Sequence, residues 1–142
     1  MAIQSYSRFG FSGHSGTAIS NTVQVLACST SAGIPSAVAF PNSCTVNSIE
    51  VQGTQTGAIG NLTVFLARDA AGKFPLTNTV SQAMTAGATG ANDLGTRFDL
   101  GNVDVHYDSN SSVLGNIYVV IVTANAQSLS AGTAFIRVNW RA

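Results

Sequence analysis

The alternation of apolar and polar positions is strongest near the C-terminus. Ile117-Tyr118-Val119-Val120-Ile121-Val122-Thr123 is apolar at both phases of a two-residue period. In Ala134-Phe135-Ile136-Arg137-Val138-Asn139-Trp140, Ile136, Val138 and Trp140 point one way and Arg137 and Asn139 the other. Both segments predict strands. The second needs one buried face, and the first needs a cover on both. An opposing sheet is one cover; the other is an arm, a loop or a neighbouring subunit.

Short strands separated by turn chemistry fill the rest of the chain. Residues 22–28 alternate, with Val23, Val25 and Ala27 on one side, and residues 36–40 form a strand ended by Pro41-Asn42. In residues 45–52, Val46, Ile49 and Val51 fall out of strict alternation and predict a bulge near Asn47-Ser48. Residues 61–68 alternate cleanly, Leu62, Val64 and Leu66 against Thr63, Phe65 and Ala67. Residues 53–60 read as a loop, 69–75 as a turn and 77–84 as a strand, with a helical turn within 77–91 as the alternative. A Gly/Ala/Thr loop over 85–95 precedes residues 97–100, which start a strand or the approach to one, then a short strand over 103–107 and a polar loop, 108–112. About eight strands and no helical period indicate an all-β antiparallel sandwich or barrel. No repeat suggests a propeller or β-helix.

Residues 1–20 read as an extended N-terminal arm ahead of a β-domain over 21–142. Its glycines oppose a helix, while Tyr6, Phe9 and Phe11 need a surface to cover them. That surface is either a neighbouring subunit or the arm's own domain.

Composition sharpens the question of cover. Hydrophobic residues are 45% of the 142, charged residues only 8%, and the formal net charge is zero. Average chains are about 25% charged. A surface so poor in charge is weakly protected against self-association and suits a subunit of a permanent assembly. Scattered basic residues form no nucleic-acid patch. No apolar run is long enough to cross a bilayer as a helix, and the N-terminus lacks the pattern of an export signal. Cys28 and Cys44 therefore read as reduced, buried small residues; a bridge between them is the alternative.

Candidate chemistry is sparse. Asp104, His106 and Asp108 share one face at period two and could ligate a divalent metal, with Asp93 and Asp99 joining only if the chain folds back. The plainer reading is a charged, solvent-facing strand edge. Glu50 is the sole glutamate, and His14 beside Ser15 has no triad context. No catalytic, metal or cofactor site is expected. Trp140, Tyr107 and Tyr118 are the candidate platforms for a sugar, with Trp140 better explained by packing. Asn61-Leu62-Thr63 and Asn110-Ser111-Ser112 match a glycosylation acceptor, read as chance without export.

From about residue 34 onward the order of features resembles that of viral and phage jelly rolls: a strand ending in Phe40-Pro41, a strand over 45–51 leading into a Gly/Thr loop, Gly60-Asn61-Leu62-Thr63-Val64-Phe65-Leu66-Ala67-Arg68, then Phe98-Asp99-Leu100 and two long closing strands. Capsid decoration or cement proteins, fibre-tip domains and carbohydrate-binding modules share such patterns. The resemblance implies a non-enzymatic virion protein, made in the host cytoplasm and carried on a phage particle. It would assemble with itself, as a trimer, and with the major capsid protein. Tyr6, Phe9, Phe11, Tyr118, Val120 and Val122 are the expected contacts. A carbohydrate- or receptor-binding module of a fibre is the second expectation. A secreted adhesin, which would need the Cys28–Cys44 bridge, is the third.

Overall fold

A computed structural model describes residues 8–14, 18–27, 43–69, 71–86, 93–106 and 118–141. Among them the chain forms nine strands and no helix: β1 (Arg8–His14), β2 (Gln24–Ala27), β3 (Ser43–Thr54), β4 (Asn61–Ala67), β5 (Val80–Ala83), β6 (Thr85–Ala86), β7 (Asp93–His106), β8 (Tyr118–Thr123) and β9 (Phe135–Arg141). The expected strand over 36–40 lies outside the described residues.

Two antiparallel sheets result, one ordered β1-β9-β3-β7-β6 and the other β2-β8-β4-β5. The pairings are nested. β4 pairs with β5, β3 with β7, β2 with β8 and β1 with β9. The chain thus doubles back on itself about its middle, and successive nested pairs fall in alternate sheets. Side chains that alternate along each strand meet between the layers. Val46, Ile49, Val51, Phe98, Ile136 and Val138 from the first sheet join Leu62, Val64, Leu66, Val119 and Ile121 from the second in one buried core. Strands β4 and β9 follow the period that the sequence predicts: Leu62, Val64 and Leu66, and Ile136, Val138 and Trp140, are all buried.

The bulge expected near Asn47-Ser48 is present. Against β9, Val46 pairs with Trp140 and Ser48 with Asn139, leaving Asn47 as the extra residue. Across β7 the shift is larger, because Val46 pairs with Val103 but Ser48 pairs with Asp99. The intervening Gly101 and Asn102 have φ of 74° and 57°. The Asp99 Oδ1 accepts from the Gly101 N–H at 2.9 Å, and the Asn47 amide donates to Asn102 Oδ1 at 2.6 Å. Residues 97–100 and the expected strand over 103–107 are thus parts of one strand: β7 runs through Gly101-Asn102 without turning.

Two further segments differ from expectation. Within the loop predicted over 85–95, Thr85 and Ala86 pair with Gly95 and Leu94, so the chain crosses here from the second sheet to the first. Within residues 1–20, Arg8–His14 is an edge strand of the domain's own first sheet, and Ile19 lies in the core. Gly and Ser signalled irregular backbone in β1, but its pairing with β9 supplies hydrogen bonds that intrinsic propensity does not predict.

Candidate interaction surface

The two outer faces differ in chemistry. β2, β4, β5 and β8 contain no Asp, Glu, Lys or Arg, whereas β1, β3, β7 and β9 each carry at least one. On the first sheet, cross-strand register aligns Arg137, Glu50 and Arg97, and Arg137 Nη1 lies 3.4 Å from Glu50 Oε2. Beside them Asn139 donates to the buried Ser48 hydroxyl at 3.0 Å.

On the second sheet, register aligns Val25, Val120 and Phe65 in one row and Val122, Thr63 and Ser81 in the next. This row of Val120 belongs to the apolar face of β8 that needed a second cover. Val120 is only 2% exposed. Its cover includes the chain's own turn between β4 and β5. A Cβ built on Gly72 would lie 2.9 Å from Val120 Cγ2 and 3.3 Å from Val25 Cγ2, and Gly72 has φ of 69°. A glycine is what allows backbone to lie this close to the sheet.

Asp69 holds that turn in place. Its carboxylate accepts from the backbone N–H groups of Ala71, Lys73 and Phe74 at 3.2, 3.0 and 2.7 Å. Desolvation pushes the carboxyl upward, but the N–H donors of Lys73, Phe74 and Ala71 together outweigh it and hold the group below its ordinary value. Arg68 N donates to Phe74 O at 3.0 Å and Leu76 N to Leu66 O at 2.7 Å, tying the turn back to β4. Residues 74–76 thereby run antiparallel beside 66–68, with Pro75 bridged to Ala67 and Phe74 opposite Arg68. Phe74 is 61% exposed, and the Arg68 guanidinium lies 5.9 Å from its ring centroid.

The expected contact residues are distributed as follows. Tyr118 and Val122 are half-buried on the outer face of β8, and Val120 lies beneath the turn. Phe9 and Phe11 are in β1, in register with Asn139 and Arg137. Tyr6 lies outside the described residues. Two exposed residues that the sequence reading did not single out as contacts are Val23, 58% exposed and just ahead of β2, and Phe74, beside Arg68 at the end of β4. Phe74 carried a signal, an aromatic between Lys73 and Pro75 in a predicted turn, where no core position awaits it.

Of the candidate chemistry, Asp104 is exposed and its Oδ1 accepts from Thr45 at 2.8 Å, while Asp93 pairs with Thr54 at the far end of β7. Asp108 lies outside the described residues. Among the described residues no three His, Cys, Asp or Glu are grouped to hold a metal. Trp140 is 3% exposed and belongs to the core, so it offers no sugar platform. Tyr107 and Cys28 lie outside the described residues, and Cys44 pairs in register with Val105. No family model, curated protein or solved structure matches the chain.

Proposed function

We propose that the chain is a non-enzymatic structural subunit of a virus particle, a jelly-roll protein that decorates or cements a phage capsid or serves as a similar accessory subunit. The observation that carries this reading is the strand order. With the two-residue β6 set aside, β1-β9-β3-β7 and β2-β8-β4-β5 are two four-stranded sheets built from nested pairs. That winding is what a jelly roll requires, an architecture used by viral capsid and lectin domains. The uncharged second sheet and the low charge of the whole chain support the assembly role.

Cementing is mechanical. Each copy straddles a joint between coat subunits, and its contacts raise the barrier to their separation. With few ion pairs to screen, attachment depends weakly on salt. Mixing the purified protein with undecorated capsids tests the reading by co-sedimentation. Binding that survives moderate salt is expected; no binding, or binding abolished by salt alone, overturns it.

A second reading, a carbohydrate- or receptor-binding module of a fibre, draws on the exposed Phe74 ring. It lies on the 69–75 turn rather than in the loops 53–60, 85–95 or 108–112, where a sugar platform was expected. A glycan array decides it: hits lost in Phe74→Ala favour this reading, and an empty array removes it.

A further inference from the structure

We propose that the outer face of the first sheet binds a neutral saccharide, laid across the row Arg137-Glu50-Arg97 and flanked by Gln52, Asn139 and Phe135. The proposal rests on the reading of the chain as a carbohydrate-binding module and deepens it, moving the ligand from the Phe74 ring to this sheet.

Register builds the site. Residues directly opposite one another in an antiparallel pair share a face. Val46, Ile49 and Val51 pair with Trp140, Val138 and Ile136, and all six belong to the core. The intervening positions therefore face outward. Glu50 lies between Arg137 of β9 and Arg97 of β7. Toward one end of the strands Gln52 lies opposite Phe135 and Gly95, and toward the other Ser48 lies opposite Asn139 and Asp99. At the β1 edge the backbone brings Phe11 opposite Arg137 and Phe9 opposite Asn139.

The polar groups of these rows are open to a ligand, and two are already oriented. Gln52, Arg97 and Asp99 are exposed, and Phe135 and Asn139 are half-buried. The Arg137 and Glu50 side chains are 41% and 35% exposed, with Arg137 Nη1 held 3.4 Å from Glu50 Oε2. Asn139 is fixed by its 3.0 Å donation to Ser48 Oγ. Groups oriented before binding lose less freedom when a ligand arrives.

Charge selects the ligand. The two central rows hold two cations, Arg137 and Arg97, and two anions, Glu50 and Asp99. Further along, Arg141 and Asp104 lie on either side of Thr45, while Asp93 stands beyond the patch, opposite Thr54 at the end of β7. The signs interleave and cancel across the patch. A polyanion or a basic peptide would meet as much repulsion as attraction there. An apolar partner would strip water from the charges and return nothing. A hydroxyl both donates and accepts, so a sugar serves carboxylate and guanidinium alike. Neighbouring hydroxyls match the two-pronged planar groups of Glu50, Arg97 and Gln52. The C–H face of a sugar ring supplies apolar contact for Phe135.

The face is open, so a sugar on it keeps more of its surface in water than a ligand in a cleft does. One copy should bind weakly, and copies held together should bind through their number.

A glycan array carrying neutral oligosaccharides beside sialylated and sulfated ones, probed with the full chain, tests the proposal. Neutral hits that persist in moderate salt support it. Gln52→Ala and Arg97→Ala change exposed side chains, so both variants should melt as wild type, yet each should weaken those hits by about fivefold or more. Signal confined to the acidic glycans and removed by salt overturns the proposal in favour of an anion site. Neutral hits that both variants keep and Phe74→Ala loses overturn it and leave the carbohydrate-binding reading standing, with the sugar on the 69–75 turn. An empty array overturns the proposal and that reading together. Co-sedimentation with capsids bears on the virion reading alone.

Discussion

Gly72 and Asn102 are the residues at which backbone conformation most directly shapes a surface. Gly72 combines a left-handed φ with near-contact on Val120. Gly72→Ala adds the strain of a left-handed alanine, about 1–2 kcal/mol, and a methyl where Val120 already lies. We expect a urea midpoint lowered by at least that strain, with an unchanged slope. Asn102 holds φ of 57° inside β7, and its side chain accepts from Asn47. Asn102→Val is expected to cost about 2 kcal/mol, because a β-branched residue is poorly accommodated in that region. Asn102→Gly keeps the backbone and isolates the lost hydrogen bond, about 0.5–1.5 kcal/mol. Equal losses in the two variants would refute the role of strain. Neither glycine nor asparagine announces such a role in the sequence, since both also mark ordinary turns. That ambiguity is why Gly101-Asn102 reads as a break between strands when it is a bulge within one.

Among the elements, the 69–75 turn depends on one ionised carboxylate. The Asp69 carboxyl is held below its ordinary value in the folded chain. Its contribution is therefore complete above the unfolded value, near pH 4, and is lost as pH falls through the lower folded value. Amide exchange at Ala71, Lys73 and Phe74 should be slow at neutral pH and quicken at the acid end relative to amides within β4. Asp69→Asn should show that quickening at neutral pH. Uniform exchange across turn and strand at all pH values would show that the carboxylate does not hold the turn. The strands differ in how far the sequence discloses them. β4 and β9 are legible because a half-buried strand must alternate. β6 is too short to show a period, and β1 owes its strand to hydrogen bonds with β9, a partner more than a hundred residues away.

For the whole molecule, apolar burial between the sheets outweighs electrostatics. Arg137–Glu50 is the one ion pair among the described residues, and its side chains are 41% and 35% exposed. Pairs so exposed contribute about 0–1 kcal/mol and are screened by salt. Urea stability should accordingly change by less than about 1 kcal/mol between low and moderate salt; a larger change would reveal charge interactions beyond this pair. The same distribution of charge separates the two outer faces, one carrying Arg97, Glu50 and Arg137, the other carrying none within its strands.

The sequence by itself determined the all-β class, the inward rows Leu62-Val64-Leu66 and Ile136-Val138-Trp140, the bulge at Asn47 and the surplus apolar face of β8. Each follows from a local rule, the two-residue period and its interruption, and needs no knowledge of distant residues. Tertiary structure alone decided what lies against that surplus face. The turn of Gly72 reaches Val120 across nearly fifty residues of chain, and Asp69 keeps it there. It also decided that residues 74–76 run beside 66–68 and set the exposed Phe74 opposite Arg68. Periodicity records which side chains point the same way; which segment comes to cover them is settled by strand order and loop closure.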